Sequence, residues 1–263
     1  MAILVYDGSF EGFLTLVFEC YAQKLQPIDI CKESMFNKGL FTNSIYIETN
    51  EQKSDRVWKA ILQKLHPRNK ELPVLAFLSE QEGIEMRLYR FFRRTFDSRQ
   101  RIDTDFGDPD VLSLKKTERQ VMRECMRVLQ FVRFQQTADD VYFAAIEPLY
   151  DVLPYSIAHF KSRFADQQWL IYDLKREYGF FYDRQTVQEV VLQNKAFSET
   201  DGQLNEGVAH EKEAAYQSLW QSYFEHINIA ERKNLKLQKQ HMPRRYWKFL
   251  PEKNHINPSK TIP

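Results

Sequence analysis

Residues 168–183, with the sequence QWLIYDLKREYGFFYD, decide the fold class of this chain. Two runs of aromatic and aliphatic residues, WLIY and YGFFY, flank a short charged segment, and this pattern is typical of a β-hairpin. The segment TVQEVVLQN at 186–194 predicts a further strand, and the segments 131–138 and 140–148 predict another hairpin just upstream. These strands together predict a mostly antiparallel sheet.

Apolar residues at helical spacing surround this sheet in the sequence. Helices are predicted over 9–25, 54–65, 72–96, 111–129, 155–164, 216–229 and 230–240, with a break near Gly83 in the third range. Short apolar runs at 2–6 and 44–49 predict two more strands. The predicted fold class is α+β, with helices covering one face of the mostly antiparallel sheet and with additional N-terminal and C-terminal helices.

A loop with four aspartates, IDTDFGDPD at 102–110, marks a candidate domain boundary. The chain has 263 residues, which exceeds the usual length of about 100–200 residues per domain. We therefore predict an N-terminal strand–helix region over 1–105 and an α+β core over 106–263 that ends in a basic helix and tail. One continuous domain is the alternative.

The net charge of +1 conceals a strong asymmetry along the chain. Residues 231–263 contain nine Lys or Arg against two Glu, a net charge of +7, so the preceding residues carry −6. A basic tail on a mildly acidic body indicates an anionic partner, and nucleic acid is the commonest one. A solvated basic helix without a partner is the alternative.

Composition and motifs also restrict the class of protein. The three cysteines are dispersed, no apolar run approaches the roughly 18 residues of a membrane span, and the first residues lack a basic leader, so we expect a cytoplasmic protein with no membrane partner. Phosphate-binding glycine loops and metal-binding His or Cys motifs are absent from the sequence. We therefore expect no metal and no cofactor in this chain.

The turn YDGSFEG at 6–12 is a candidate anion site, with Gly8 and Ser9 as its residues. A strand-to-helix turn exposes free N–H groups at the positive end of a helix, which suits a phosphate. Against this, Ser9 can cap the helix and Glu11 already lies in its first turn, so structural capping is the favoured interpretation.

The segment LPYSIAHFKSRFAD at 153–166 contains the candidate catalytic residues. Helical spacing places Ser156, His159 and Arg163 on one polar face, and Asp166 follows the helix. A His and an Arg on one face can hold a phosphate or move a proton. A helix packed by its aromatic residues, with a hydrogen-bonded His, is the alternative.

Arginines alternate with aromatic residues in RLYRFFRRTFDSRQR at 87–101. Such arginines can reach phosphates while the aromatic rings pack or stack. The aspartates at 102–110 can instead neutralise them internally. Both interpretations remain open from the sequence.

The C-terminal stretch QKQHMPRRYWKFLPE at 238–252 combines basic and aromatic residues. We predict phosphate contacts or base stacking by residues of this stretch and of the helix before it. The predicted DNA-binding residues are Arg232, Lys233, Lys236, Lys239, Arg244, Arg245, Tyr246 and Lys248. The alternative is that Trp247, Phe249 and Leu250 close the core while the charges are solvated.

Three stretches resemble a bacterial family assigned to DNA metabolism, whose core is domain of unknown function 4130. They are VYDGSFEGFLTLVFE at 5–19, PLYDVLPYSIAHFKSRFADQQWLIYDLKREYGFFYD at 148–183 and MPRRYWKFLPE at 242–252. The motif positions present here are Tyr6, Asp7, Gly8, Phe10, Glu11, Gly12, His159, Phe160, Arg163, Phe164, Trp169, Pro243, Arg245, Tyr246 and Trp247. The resemblance assigns no role to any of these residues.

The resemblance also implies a partner. In that family the gene usually neighbours one for a radical SAM protein of DNA modification or repair. The domain also occurs fused to a uracil-DNA-glycosylase-type domain, whose motifs are not found in these 263 residues, so we expect no glycosylase activity here. A [4Fe–4S] cluster and S-adenosylmethionine would then belong to the partner. Our leading hypothesis is a DNA-binding accessory protein of DNA metabolism or repair that presents DNA to the radical SAM protein. The alternatives are an enzyme acting on DNA or a nucleotide through the His159 and Arg163 face, and a protein-binding scaffold.

Overall fold

The computed structural model describes residues 2–37, 43–226 and 234–256 of the chain. It divides into two compact units, Met1–Met122 and Arg123–Pro263, which we call the N-terminal unit and the C-terminal unit. The division falls inside a long helix, α5 (Pro109–Phe131). The predicted domain boundary near residue 105 stays a prediction.

The N-terminal unit is built on a small parallel sheet. Its three strands are β1 (Ala2–Tyr6), β2 (Pro27–Lys32) and β3 (Ser44–Tyr46), in the order β2-β1-β3. Both neighbours run parallel to β1, and a helix connects β1 to β2, as a parallel pair requires. The strand β1 is buried almost throughout, as expected for a central parallel strand.

Helices complete the core of this unit. They are α1 (Phe10–Ala22), α2 (Glu51–Lys64), α3 (Leu72–Phe77), α4 (Ile84–Asp97) and the first part of α5. The predicted break near Gly83 is confirmed, since Gly83 precedes α4 with a φ of +71° that favours glycine. In the core, the Phe13 ring packs tilted against Phe77 and edge to face against Phe92.

The C-terminal unit is built on a five-stranded sheet. Its strands are β4 (Gln135–Gln136), β5 (Tyr142–Ile146), β6 (Trp169–Asp173), β7 (Tyr178–Tyr182) and β8 (Val187–Val190), paired in chain order. All neighbours are antiparallel except β5 and β6, which run parallel because the helix α6 (Leu153–Arg163) crosses between them. The predicted α+β class with a mostly antiparallel sheet is confirmed for this unit.

The hairpin of residues 168–183 forms as predicted. Trp169 pairs with Tyr182 and Asp173 pairs with Tyr178, and the buried Asp173 carboxylate accepts backbone N–H bonds from Lys175 and Arg176 in the turn. The upstream hairpin was predicted to begin at Phe131, but this residue is the last of α5. Phe131 lies one helical turn after Val128 and shares its buried face, so the helix continues through it.

The remaining elements follow the sheet in the sequence. They are α7 (Glu213–His226), α8 (Leu235–His241) and two 3₁₀ segments, Arg244–Phe249 and Pro251–Ile256. Phe249 packs in a core cluster with Phe143 and Tyr172 of the sheet. In the described ranges we find no helix with the length and apolar character needed to cross a bilayer.

Candidate nucleic-acid interface

The turn between β1 and α1 is occupied by its own side chains. Ser9 donates both its N–H (2.9 Å) and its hydroxyl (2.7 Å) to Asp7 Oδ1, and Thr49 donates its hydroxyl to Asp7 Oδ2 at 2.7 Å. Ser9 Oγ in turn accepts the Gly12 N–H and caps the helix. Burial raises the pKa of Asp7, but these hydrogen bonds outweigh it and lower the pKa overall. The carboxylate of Asp7 therefore takes the donors that an anion at Gly8 and Ser9 would use, and an anion site there stays a prediction.

Two arginines of α4 are neutralised by aspartates further along the chain. Arg90 binds Asp110 through two hydrogen bonds of 2.9 and 2.8 Å, and Arg94 pairs with Asp108. The hydrogen bonds from the Arg90 guanidinium lower the pKa of Asp110. Of the two interpretations of this stretch, internal neutralisation holds for Arg90 and Arg94.

The polar face predicted for α6 is incomplete. Ser156 was expected at the surface, but it is buried and donates its hydroxyl to the Val152 carbonyl at 2.8 Å. This bond to the preceding turn satisfies the hydroxyl and allows Ser156 to lie on the same face as the buried Phe160. The side chains of His159, Arg163 and Asp166 are exposed.

The segment Arg244–Phe249 is joined to the rest of its unit through an internal acidic side chain. Glu124, fully buried on α5, accepts hydrogen bonds from the Tyr246 hydroxyl (2.8 Å) and from Arg245 Nη2 (2.5 Å). It also accepts the Leu149 N–H at 2.9 Å and pairs with Arg127 at 3.1 Å. Burial raises the pKa of Glu124, but these donors outweigh it and lower the pKa overall.

The predicted DNA-binding residues of this segment therefore have different environments. Arg245 and the buried Tyr246 contact Glu124, and Lys248 pairs with Glu147. Arg244 is exposed, with its guanidinium 5.9 Å from the centre of the Trp247 ring. Contact with DNA stays untested for all of these residues, but only Arg244 presents its charge to solvent without an ion pair in the described part of the chain.

Lys236 and Lys239 are exposed on α8, while Arg232 and Lys233 lie outside the described residues. The end of α8 borders a cavity of about 380 Å³ that we call the basic groove. Its lining residues are Arg123, Met126, Arg127, Gln130, Gln240 and His241. The two arginines were not predicted as binding residues, although Arg123 and Arg127 lie four residues apart in the sequence and so share one face of α5.

A second cavity in the C-terminal unit, of about 920 Å³, has five aromatic residues in its lining, and we call it the aromatic cleft. Its lining residues are Arg133, Phe134, Gln136, Tyr142, Arg163, Phe164, Glu213, Tyr216, Gln217, Trp220 and Pro251. Of the candidate catalytic residues, Arg163 lines this cleft, whereas His159 and Asp166 are not among its lining residues. No spacing in the sequence connects α7 with Phe134 and Tyr142, so the cleft was not predicted.

The part of the chain that the structure describes contains no group of three or more His, Cys, Asp or Glu that could hold a metal ion. The expectation that the chain carries no metal stays a prediction.

Comparisons with known proteins give a family and a distant structural similarity. The model of the family described as domain of unknown function DUF4130 matches residues 82–252, which is more than half of the chain. Among solved structures, the chain is similar to one described as the pGpG-specific phosphodiesterase PggH from Vibrio cholerae, with 9% sequence identity, a TM-score of 0.32, and coverage of 84% of this chain and 97% of that chain. A TM-score this low supports no inference about fold or function. No curated protein matches the sequence.

Proposed function

This chain belongs to the DUF4130 family, and from that premise we propose that it is a DNA-binding accessory protein of DNA metabolism. The proposed partner is the radical SAM protein that the family resemblance implies, with the [4Fe–4S] cluster and S-adenosylmethionine in the partner. In this proposal the chain itself binds DNA and performs no chemical step.

The basic groove is the observation that carries this proposal. Arg123 is exposed at the groove, and Arg127 and His241 also line it. The carboxylate of Glu124 pairs with both Arg127 and Arg245. The cluster of these three residues therefore has a net charge of +1. Lysine and arginine side chains in such a groove neutralise backbone phosphates and release their counterions.

Exposed cations extend the groove along the chain. Lys236 and Lys239 lie on α8, which ends at the groove with His241, and Arg244 follows two residues after Met242. Lys236, Lys239 and Arg244 form no ion pair with a residue that the structure describes. The proposed phosphate-binding surface therefore consists of Arg123, Arg127, Lys236, Lys239, His241 and Arg244.

The catalytic alternative has no comparable support. His159 and Asp166 are exposed on the surface and are not among the lining residues of either described cavity of the C-terminal unit. A general base is expected within hydrogen-bond reach of a bound substrate, usually in a cavity. We therefore propose binding alone for this chain.

Fluorescence anisotropy with labelled duplex and single-stranded DNA tests the proposal, with salt varied between about 50 and 200 mM. We expect salt-dependent binding by the full chain. Changing Arg123→Gln together with Lys239→Gln is expected to weaken binding to all sequences and to reduce the salt slope by about 0.7–0.9 per lost contact. Arg184→Gln together with Lys212→Gln removes the same charge from exposed positions elsewhere in the unit and is the matched control.

Two results would contradict the proposal. If the full chain shows no salt-dependent binding to duplex DNA or to single-stranded DNA, the proposed DNA-binding function is wrong. If polyglutamate competes as well as DNA at equal charge concentration, the protein-binding scaffold takes its place, because charge alone would then explain the binding.

A further inference from the structure

We propose that the aromatic cleft accepts one unpaired nucleobase of a DNA strand, with Arg163 contacting a phosphate of that strand. This inference rests on the proposed function, because it assumes that the chain binds DNA. It adds a second site in the C-terminal unit that recognises a base, whereas the basic groove recognises only the backbone.

The inner wall of the cleft is a rigid cluster of aromatic rings. Phe134 meets Phe164 edge to face at 5.2 Å between ring centres, and it meets Tyr142 and Phe160 in the same way at 6.5 and 6.3 Å. Phe160 is buried and stacks on Phe164. A ring held on several sides loses little conformational freedom when a ligand arrives, which favours binding.

The outer wall consists of aromatic side chains of α7 that remain open to solvent. Tyr216 and Trp220 are 55% and 41% exposed, although both line the cleft. The Trp220 side chain is nevertheless held in place, since its Nε1–H donates to Glu252 Oε2 at 2.9 Å and the Arg133 guanidinium lies 5.9 Å from its ring centre. Exposed rings in a fixed position are the feature that proteins use to stack unpaired bases.

The accessible charge of the cleft is positive. Arg133 is paired with Glu252 at 2.9 Å. Glu213 is buried, and its two oxygens accept hydrogen bonds from the Gln136 N–H and from Gln217 Nε2. Arg163 is exposed and forms no ion pair with the residues that the structure describes. Its guanidinium is therefore available to a phosphate, which argues for a nucleotide rather than an uncharged apolar ligand.

Size and polar groups also fit a nucleotide. A cavity of about 920 Å³ lies at the upper end of the range of small-molecule sites, roughly 300–1,000 Å³. Tyr142, Tyr216 and Gln217 are among the lining residues, and side chains of these types can hydrogen-bond a base edge through their hydroxyl and amide groups. A paired base cannot enter such a cleft without leaving its helix, so the site selects an unpaired base.

The experiment compares a fully paired duplex with the same duplex carrying one bulged 2-aminopurine. We expect the full chain to bind the bulged duplex about tenfold more tightly, the gain of one stacked base. The 2-aminopurine fluorescence is expected to be quenched on binding, as it stacks on the aromatic side chains. Free deoxyadenosine monophosphate is a third probe and is expected to bind at least tenfold more weakly than the bulged duplex, because it lacks the contacts to the basic groove.

Two variants with matched controls locate the site. Tyr216→Ala and Arg163→Gln are each expected to reduce the preference for the bulged duplex about three- to tenfold while leaving the paired duplex unaffected. Leu219→Ala, at a 66% exposed position of the same helix that does not line the cleft, and Arg184→Gln are expected to change nothing. The midpoint of urea unfolding confirms that each variant is folded.

Each contrary result has a distinct meaning. Equal binding of paired and bulged duplexes, or an unchanged preference in both cleft variants, overturns the base site and leaves the proposed function standing. Free nucleotide binding as tightly as the bulged duplex overturns recognition of a DNA strand by this cleft. Failure of both duplexes to bind overturns the proposed function and the base site together.

Discussion

The buried Glu124 carboxylate accepts a hydrogen bond of 2.8 Å from the Tyr246 hydroxyl, although the two residues lie 122 positions apart in the chain. This contact connects α5 with the C-terminal 3₁₀ segment. Arg245 adds a second bond to the same carboxylate. The basic C-terminal segment therefore has a structural role in part: Tyr246 and Phe249 are buried, and the cations Arg245 and Lys248 have acidic partners.

We expect Glu124→Gln to destabilise the fold by about 1.5–3 kcal/mol, because it leaves the half-buried guanidinium groups of Arg127 and Arg245 without a compensating charge. Urea unfolding followed by circular dichroism measures the change. Glu147→Gln is the matched control, since it breaks the more exposed pair with Lys248 and is expected to cost at most about 1 kcal/mol. Equal costs for the two variants would show that Glu124 does not hold the segment.

The same carboxylate predicts a dependence of stability on pH. The pKa of Glu124 is lower in the folded state than its ordinary value of about 4.3, so the stabilisation is complete above that pH and is lost as the pH falls through the lower folded pKa. We expect the difference in unfolding free energy between the wild type and Glu124→Gln to shrink as the pH falls from about 5 to about 3. A difference that stays constant over this range would contradict the lowered pKa.

The fold could be predicted from the sequence where local patterns decide it. The hairpin of β6 and β7 was predicted because its aromatic and aliphatic runs flank a charged turn. The strand β2 was missed, since it begins with Pro27 and carries an exposed Asp29, and its place beside β1 depends on tertiary pairing. The parallel pairing of β5 and β6 was likewise not predicted, although the helix α6 between them supplies the crossover that a parallel pair needs.

Fewer features of the candidate site than of the fold could be predicted from the sequence. Exposed residues of one helix, such as Lys236 and Lys239 on α8, could be identified from composition alone. The pairing of Arg245 with Glu124 could not, because it joins residues 121 positions apart. The aromatic cleft combines Phe134 with Trp220 in the same way, and such long-range contacts leave no periodic signal in a single sequence.

The turn after β1 predicts an unusual response to a helix-favouring substitution. Gly12→Ala would normally stabilise a helix by up to about 1 kcal/mol. Here the added Cβ would lie 2.2 Å from Asp7 Oδ1 and 2.8 Å from Thr49 Oγ1, so we expect a net loss of about 1–3 kcal/mol. The measurement is the free energy of unfolding in urea.

A double-mutant cycle provides the control for this turn. Asp7→Ala removes the carboxylate that the new methyl group would meet, and it should cost less in the Gly12→Ala background than in the wild type. Additive costs would show that the close approach of Asp7 to α1 is not what requires glycine at position 12.

Adjacent arginines in the C-terminal segment are expected to have opposite roles. Arg244 is exposed and has no acidic partner in the described chain, whereas Arg245 donates to the buried Glu124. Arg245→Gln should therefore cost about 1.5–3 kcal/mol of stability, the contribution of a hydrogen bond to a charged group. Arg244→Gln should change stability by less than about 0.5 kcal/mol. It should instead weaken DNA binding and lower the salt slope by about 0.7–0.9.

Urea unfolding and anisotropy titrations on the Arg244→Gln and Arg245→Gln proteins separate the effect on stability from the effect on DNA binding. If Arg244→Gln leaves the salt slope of DNA binding unchanged, Arg244 does not belong to the phosphate-binding surface. If Arg245→Gln is as stable as the wild type, the hydrogen bond from Arg245 to Glu124 does not hold the C-terminal segment in place.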